Sequence, residues 1–164
     1  MAESIKSALK LHPHPARGFY SEIYRDNSIL TKAQTDVQWL VEQRACSSHI
    51  YFLLVGADFD KLHRVRCDEG FSYYAGNTAV LVHCINSNGS LTTKTLDPKT
   101  FSYYANVSKG TWFGVELADK KADSYALVGL TVAPAFEFAE FELADRQTLA
   151  KQFPQHIDLI NKFT

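Results

Sequence analysis

The chain lacks most of the features that announce a function by themselves. Its three cysteines, Cys46, Cys67 and Cys84, are an odd number with no C-x-x-C pair, which excludes a disulfide framework and a zinc ribbon. They read as small buried thiols in a reducing compartment. Charge of one sign is missing too, since 17 Lys+Arg stand against 18 Asp+Glu. That balance excludes a strongly basic nucleic-acid binder and a charged disordered tail. No apolar run approaches the roughly 18 residues that a membrane-spanning helix needs. The opening MAESIKSALKLHPHPARG has neither the apolar stretch nor the cleavage site of a signal peptide. A cytoplasmic protein with no membrane or nucleic-acid partner is therefore expected. The eight glycines form neither G-x-G-x-x-G nor a P-loop, and there is no G-x-S-x-G elbow for a serine nucleophile.

What the chain has in abundance is aromatic side chains: 11 Phe, 8 Tyr and 2 Trp, or 13% of 164 residues. Aromatics suit a pleated, half-buried surface. From Gly18 onward short apolar runs alternate with period two, predicting strands over 19–25, 37–43, 49–55, 61–66, 69–75, 78–85, 90–96, 100–105, 111–117 and 125–132. Asn88-Gly89 between VLVHCI and SLTTKTL is a hairpin signal. Many short strands parted by turn residues predict an antiparallel sandwich or barrel. FEFAEFEL at 136–143 alternates apolar and acidic residues, with Phe136, Phe138 and Phe141 expected inward as core, pocket rim or dimer seam. Asp145 can cap a helix over 146–153, and Pro154 suits the first turn of another carrying Ile157, Leu159, Ile160 and Phe163 as its apolar stripe. The length predicts one domain over 1–164, with a barrel at about 18–144 and a helical segment at 145–164. FSYYAG at 71–76 is echoed by FSYYAN at 101–106, too short a match to establish duplication.

GADFDKLHRVRCDEGFSYYAG, from Gly56 to Gly76, carries His63, then Glu69, then Gly76. This resembles the first motif of the cupins, in which two His and a Glu meet at a barrel mouth. VSKGTWFGVEL from Val107 to Leu117 resembles the second motif, where many members have Pro-x-Gly and then a ligand His. LHPHPARGFYSEIYR, RACSSHIYFLL, DKLHRVRCDE and LVGLTVAPAFEFAEFELADR extend the resemblance over most of the chain, towards small, uncharacterised single-domain cupins. The resemblance implies a mainly β fold, an antiparallel double-stranded β-helix (the jelly-roll cupin barrel) with short C-terminal helices. It also implies a homodimer and a kinship in fold with sugar-nucleotide 3,5-epimerases. The chain departs from the pattern where it matters: Val65 and Phe113 stand where the motifs have His, and Ser108 where they have Pro. Ala16-Arg17-Gly18 and Pro134-Ala135-Phe136 depart from the group as well. Only His63 and Glu69 remain as weak metal candidates, fewer than the three or four protein ligands a divalent ion wants. No metal and no cofactor are expected; a metal enzyme completing its ligands with His49 or Glu22 is an alternative.

Side chains alternate along a strand. His63 thus shares a face with Val65, Glu69 with Phe71 and Tyr73, His49 with Tyr51 and Leu53, and Phe113 with Val115. Turned inward together, these give one His and one Glu in a cavity walled by Tyr51, Phe71, Tyr73 and Phe113, the general form of a small-molecule site. The expected roles are His63 as general base, Glu69 as its orienter and Tyr73 as acid, with Tyr51 in reserve. Arg25 would hold an anionic substrate group, Tyr20 and Glu22 would line the mouth, and Trp112 would contribute to ligand binding. His12 and His14 read as loop residues, His83 as a satisfied strand residue and His156 as a helix start. The function expected is binding of a small organic molecule, with metal-independent epimerisation or isomerisation of a sugar-like or keto substrate. The alternative is a cupin that binds its ligand without chemistry.

Overall fold

The computed structural model describes residues 1–34 and 42–164. A short helix, α1 (Ala2–Ala8), leads into thirteen strands among these residues. They are β1 (His12–Pro13), β2 (Phe19–Arg25), β3 (Ile29–Thr31), β4 (Gln43–Ala45), β5 (Ser48–Val55), β6 (Phe59–Arg64), β7 (Asp68–Gly76), β8 (Val80–Ile85), β9 (Leu91–Leu96), β10 (Tyr104–Val107), β11 (Trp112–Leu117), β12 (Tyr125–Ala133) and β13 (Glu142–Leu143). Helices α2 (Arg146–Gln152) and α3 (Ile157–Phe163) follow. Six strands form one sheet in the order β1-β2-β5-β12-β7-β10, and five form the other, β13-β6-β11-β8-β9, with β3-β4 as a separate pair. Every pairing is antiparallel, giving the mainly β jelly roll with short C-terminal helices. The strand expected at 37–43 lies mostly outside the described residues.

Alternation builds the core. On β11, Phe113, Val115 and Leu117 point between the sheets, where they meet Phe52, Leu54, Phe71, Tyr73 and Val128. Trp112 and Gly114 point the other way, into a second cluster with Leu62, Ile85, Leu149, Ile160 and Phe163. A fully buried side chain of this size contributes roughly 1.5–3 kcal/mol. The helices therefore cover the outer face of the five-stranded sheet. Asp145 caps α2 by accepting the Thr148 N–H. Phe163 lies so close over Gly114 that a Cβ there would come within 2.8 Å of its ring. Glu116, on the same outward face, accepts from Lys162, Lys120 and His83. Burial pushes its carboxyl up, but those three bonds outweigh it and bring the pKa down to about 2.

Two expectations fail on local backbone chemistry. Asp97 caps a 3-10 turn over Pro98–Thr100, and Phe101 adopts a left-handed φ of 59°, so the strand begins at Tyr104 rather than at 100. Phe101 is 81% exposed whereas Phe71 is buried, and the two echoed segments pair antiparallel, Tyr104 opposite Ser72. The echo is thus no repeated unit. FEFAEFEL does not alternate as a strand either: Phe138–Glu140 is a 3-10 turn in which Phe138 is exposed and Glu140 buried. Glu140 turns inward because Arg44 is there to meet it, at 2.5 Å.

Candidate functional site

A cavity of about 340 Å³ opens at the end of the sandwich where β5 and β7 begin and β12 ends. Ser48 and Ile50 of β5, Leu130 and Val132 of β12, and Val65 form much of its wall. Residues 136–141 close over it with Phe136, Phe138 and Phe141, whose ring centroids lie 4.9–6.4 Å apart.

Its floor is polar. β6 carries a bulge against β11: Phe113 is opposite His63, but Val115 is opposite Asp60. Two residues on one strand thus face three on the other, which puts Asp60 and His63 on the same inner face while Leu62 turns to the helices. The bulge also turns the Lys61 carbonyl to accept the His63 Nδ1–H at 2.7 Å, so the neutral ring keeps its Nε2 lone pair. Burial lowers the His63 pKa to about 3 against the help of the Lys61 bond, and lowers that of His14 to about 4. Asp60 is 2% exposed, and its Oδ1 has no hydrogen-bond partner among the described residues. That oxygen lies 3.8 Å from His63 Nδ1 and 3.9 Å from His14 Nδ1. Burial, then the charges of Glu69 and Asp58, push the Asp60 carboxyl well up. Glu69, also buried, lines the cavity from β7, and burial raises it to about 7.

The mouth carries charge. A second bulge, where β2 pairs with β5 between Glu22 and Tyr24, brings Glu22 and Arg25 to one face. Arg25 donates to both Glu22 oxygens at 3.0 and 2.9 Å, to Glu137 at 3.2 Å and to the Phe136 carbonyl at 2.9 Å. Glu22, and then Glu137, hold its pKa up against the opposing effect of burial. Tyr20 packs on His12 and His14, with ring centroids 4.3 and 5.0 Å apart.

The structure therefore brings together His63, Glu69, Tyr20, Glu22 and Arg25, and leaves the other expected residues elsewhere. Tyr51 and His49 are on the outer face of the six-stranded sheet, because it is Ser48, Ile50 and Phe52 of β5 that point inward. There Tyr51 packs on Tyr74, and His49 bonds Thr131 and Tyr74. Tyr73 shares the face of Glu69 but lies deeper in the core, where its hydroxyl donates to the Thr78 carbonyl at 2.9 Å. Burial raises its pKa to about 12. Phe71 and Phe113 form the core beneath the floor, the Phe113 ring packing at a tilt with its centroid 4.2 Å from that of His63. Trp112 is on the helix side under the Arg64 guanidinium. His12, His14 and Asp60 line the cavity without having been singled out for it. The signal for the histidines was present, since prolines at 13 and 15 hold both predecessors extended, where alternate residues share a face.

A family model described as Cupin superfamily (DUF985) matches residues 3–144. The chain belongs to this cupin family. No curated protein matches it. Among solved structures, a Shewanella oneidensis protein is 29% identical with a TM-score of 0.85, over 99% of this chain and 96% of its own. A hypothetical protein from Leishmania major is 25% identical, also at 0.85, over 100% and 98%. An oxalate decarboxylase of Bacillus subtilis shares the fold at 10% identity and a TM-score of 0.56, over 96% of this chain and 38% of that one.

The divalent metal that cupin motifs often hold does not fit the residues of this cupin. Among the described residues no three His, Cys, Asp or Glu side chains gather as a metal requires. Val65 and Phe113 put apolar groups where imidazoles would stand, which leaves Glu69 and the Nε2 of His63 as the remaining motif donors. Neither alternative ligand repairs the set, because His49 is on the outer face and Glu22 is bonded to Arg25. None of the described helices is long and apolar enough to cross a membrane.

Proposed function

We propose that the cavity binds a small organic molecule and that Glu69 moves a proton on it, in an epimerisation or isomerisation of a sugar-like or keto compound. The observation that carries this is the placement of Glu69: a buried carboxyl lining a cavity, where burial raises its pKa to about 7. A proton donor and acceptor works best when its pKa lies near the operating pH. His63 was the expected base, but at about 3 it is too weakly basic for that task near neutrality. It serves instead as a neutral hydrogen-bonding ring that orients the ligand. We extend the proposal to one domain over 1–164, a homodimer and a cytoplasmic location.

The test is incubation with a panel of aldoses, ketoses and 2-oxo compounds in D2O, followed by proton NMR. Loss of a C–H signal beside the carbonyl is expected, slowed about a hundredfold or more in Glu69→Gln with binding retained. A bound compound that keeps all its protons with the wild-type protein overturns the chemistry and leaves a cupin that only binds. Native mass spectrometry of the purified protein would weigh any retained molecule and read the oligomeric state.

A further inference from the structure

We infer that the ligand is an organic cation, a small primary or methylated amine whose ammonium group sits against Asp60 while its carbon body rests on the rings of Phe141, Phe136 and Tyr20. This deepens the proposal above, resting on the cavity as a ligand site but not on proton transfer there.

The first support is a mismatch in charge. The cavity presents four carboxyl side chains, Glu22, Asp60, Glu69 and Glu137, and one guanidinium, Arg25. Arg25 uses four of its N–H groups, three of them on Glu22 and Glu137 and one on the Phe136 carbonyl. It is neutralised twice over and leaves one of its five N–H groups for an incoming anion. Burial keeps the rings of His14 and His63 uncharged at neutral pH, so they supply no cation either. The role expected for Arg25, as holder of an anionic group, therefore has little left to act with.

The second support is the orphan oxygen. Asp60 is almost wholly buried, and its Oδ1 lacks a hydrogen-bond partner among the described residues. A buried carboxylate is stable only when paired and hydrogen-bonded. An ammonium supplies both the charge and the donor, and unlike a divalent metal it asks for no polyhedron of ligands. The third support is the surrounding of that oxygen. The ring of His63 lies 5.0 Å from that of Phe141, and the ring of His14 6.0 Å from it, with Phe136 5.9 Å from Phe141. Aromatic faces attract cations, most strongly where water is excluded.

The experiment titrates the protein with n-butylammonium and tetramethylammonium, and with 1-butanol and butanoate as neutral and anionic counterparts. Binding is followed by NMR chemical shifts and thermal shift. At least one ammonium is expected to bind saturably, and more tightly than 1-butanol, with no saturation by butanoate. Asp60→Asn should weaken ammonium binding roughly tenfold or more without changing the response to 1-butanol, and Phe141→Leu should weaken it a few-fold. No saturable binding of either ammonium overturns the inference, as does equal binding of butanoate or an Asp60→Asn protein that binds ammonium unchanged. A parallel titration with Mn²⁺ alone separates the remaining source of positive charge: saturation by Mn²⁺ that competes with the ammonium also overturns it. Deuterium exchange on an uncharged keto compound without ammonium binding would sink this inference alone and leave the proton-transfer proposal standing.

Discussion

Oδ1 of Asp60 lies 3.8 Å from Nδ1 of His63, yet the proton on that nitrogen goes to the Lys61 carbonyl. The two groups face each other without satisfying each other. Burial works on them in opposite senses, raising the acid and lowering the base. Such a floor is costly in the folded protein alone, and its cost is readable as a dependence of stability on pH.

Glu69 sets the neutral limb of that dependence. Its pKa rises from 4.5 to about 7 on folding, so the folded state binds the proton more tightly than the unfolded chain. Stability is therefore greatest below pH 4.5 as far as this group goes, and is lost as pH rises through 7. The full effect is up to roughly 3 kcal/mol. Urea unfolding of the wild type and of Glu69→Gln at pH 5 and pH 8 checks it. The wild type should lose stability relative to the variant at pH 8; parallel curves would mean that Glu69 is better solvated than its burial suggests.

His63 sets the acid limb. Folding lowers its pKa from 6.5 to about 3, so the contribution is fully present above 6.5 and is lost as pH falls towards 3. Roughly 3–5 kcal/mol is at stake. In His63→Gln the acid limb should flatten, leaving His14, lowered to about 4, as the smaller remaining contributor. The comparison is urea unfolding at pH 7 and pH 4.5, and a wild type no more acid-sensitive than the variant would contradict it.

The fold was legible because it rests on period two and on turn residues. β5, β7, β8, β11 and β12 fall within a residue or two of the expected runs. The site was legible only where that period holds, as it does for Glu69 on β7. The bulge in β6 sets Asp60 beside His63, three positions apart, and the bulge in β2 does the same for Glu22 and Arg25. Strict alternation puts Asp60 with Leu62, on the wrong face. On β5 both faces carry large side chains, and the pattern alone did not say that Ile50 rather than Tyr51 points inward. Glu140 was misplaced because its burial depends on Arg44, which is distant in sequence and adjacent in space.

Tyr73 is a packing residue by its position. Its hydroxyl donates to Thr78 within the core and is not among the groups lining the cavity. Tyr73→Phe should therefore cost about 1 kcal/mol of stability, the net worth of one buried hydrogen bond. Ligand binding and any deuterium exchange should be unchanged. A variant of normal stability that loses exchange would restore Tyr73 as the proton donor.

The rim of the cavity is held from behind by Arg44. Its guanidinium, nearly inaccessible, donates to Glu140 at 2.5 Å, to Cys67 Sγ at 3.0 Å, and to the carbonyls of Pro134 and Ala135. Those bonds fix both ends of the segment that carries Phe136 and Phe138, with Phe141 directly after it. Removing one partner of a buried ion pair leaves the other charge stranded, which costs about 3–5 kcal/mol. Glu140→Leu should thus be strongly destabilised, with faster amide exchange over residues 134–141 and weaker ammonium binding. Replacing both partners, as Arg44→Met with Glu140→Leu, removes the stranded charge and should recover much of that stability. It also removes the bonds to 134 and 135, so exchange over the rim should stay fast. A double variant with both stability and rim protection restored would show that apolar packing, not the guanidinium, holds the rim in place.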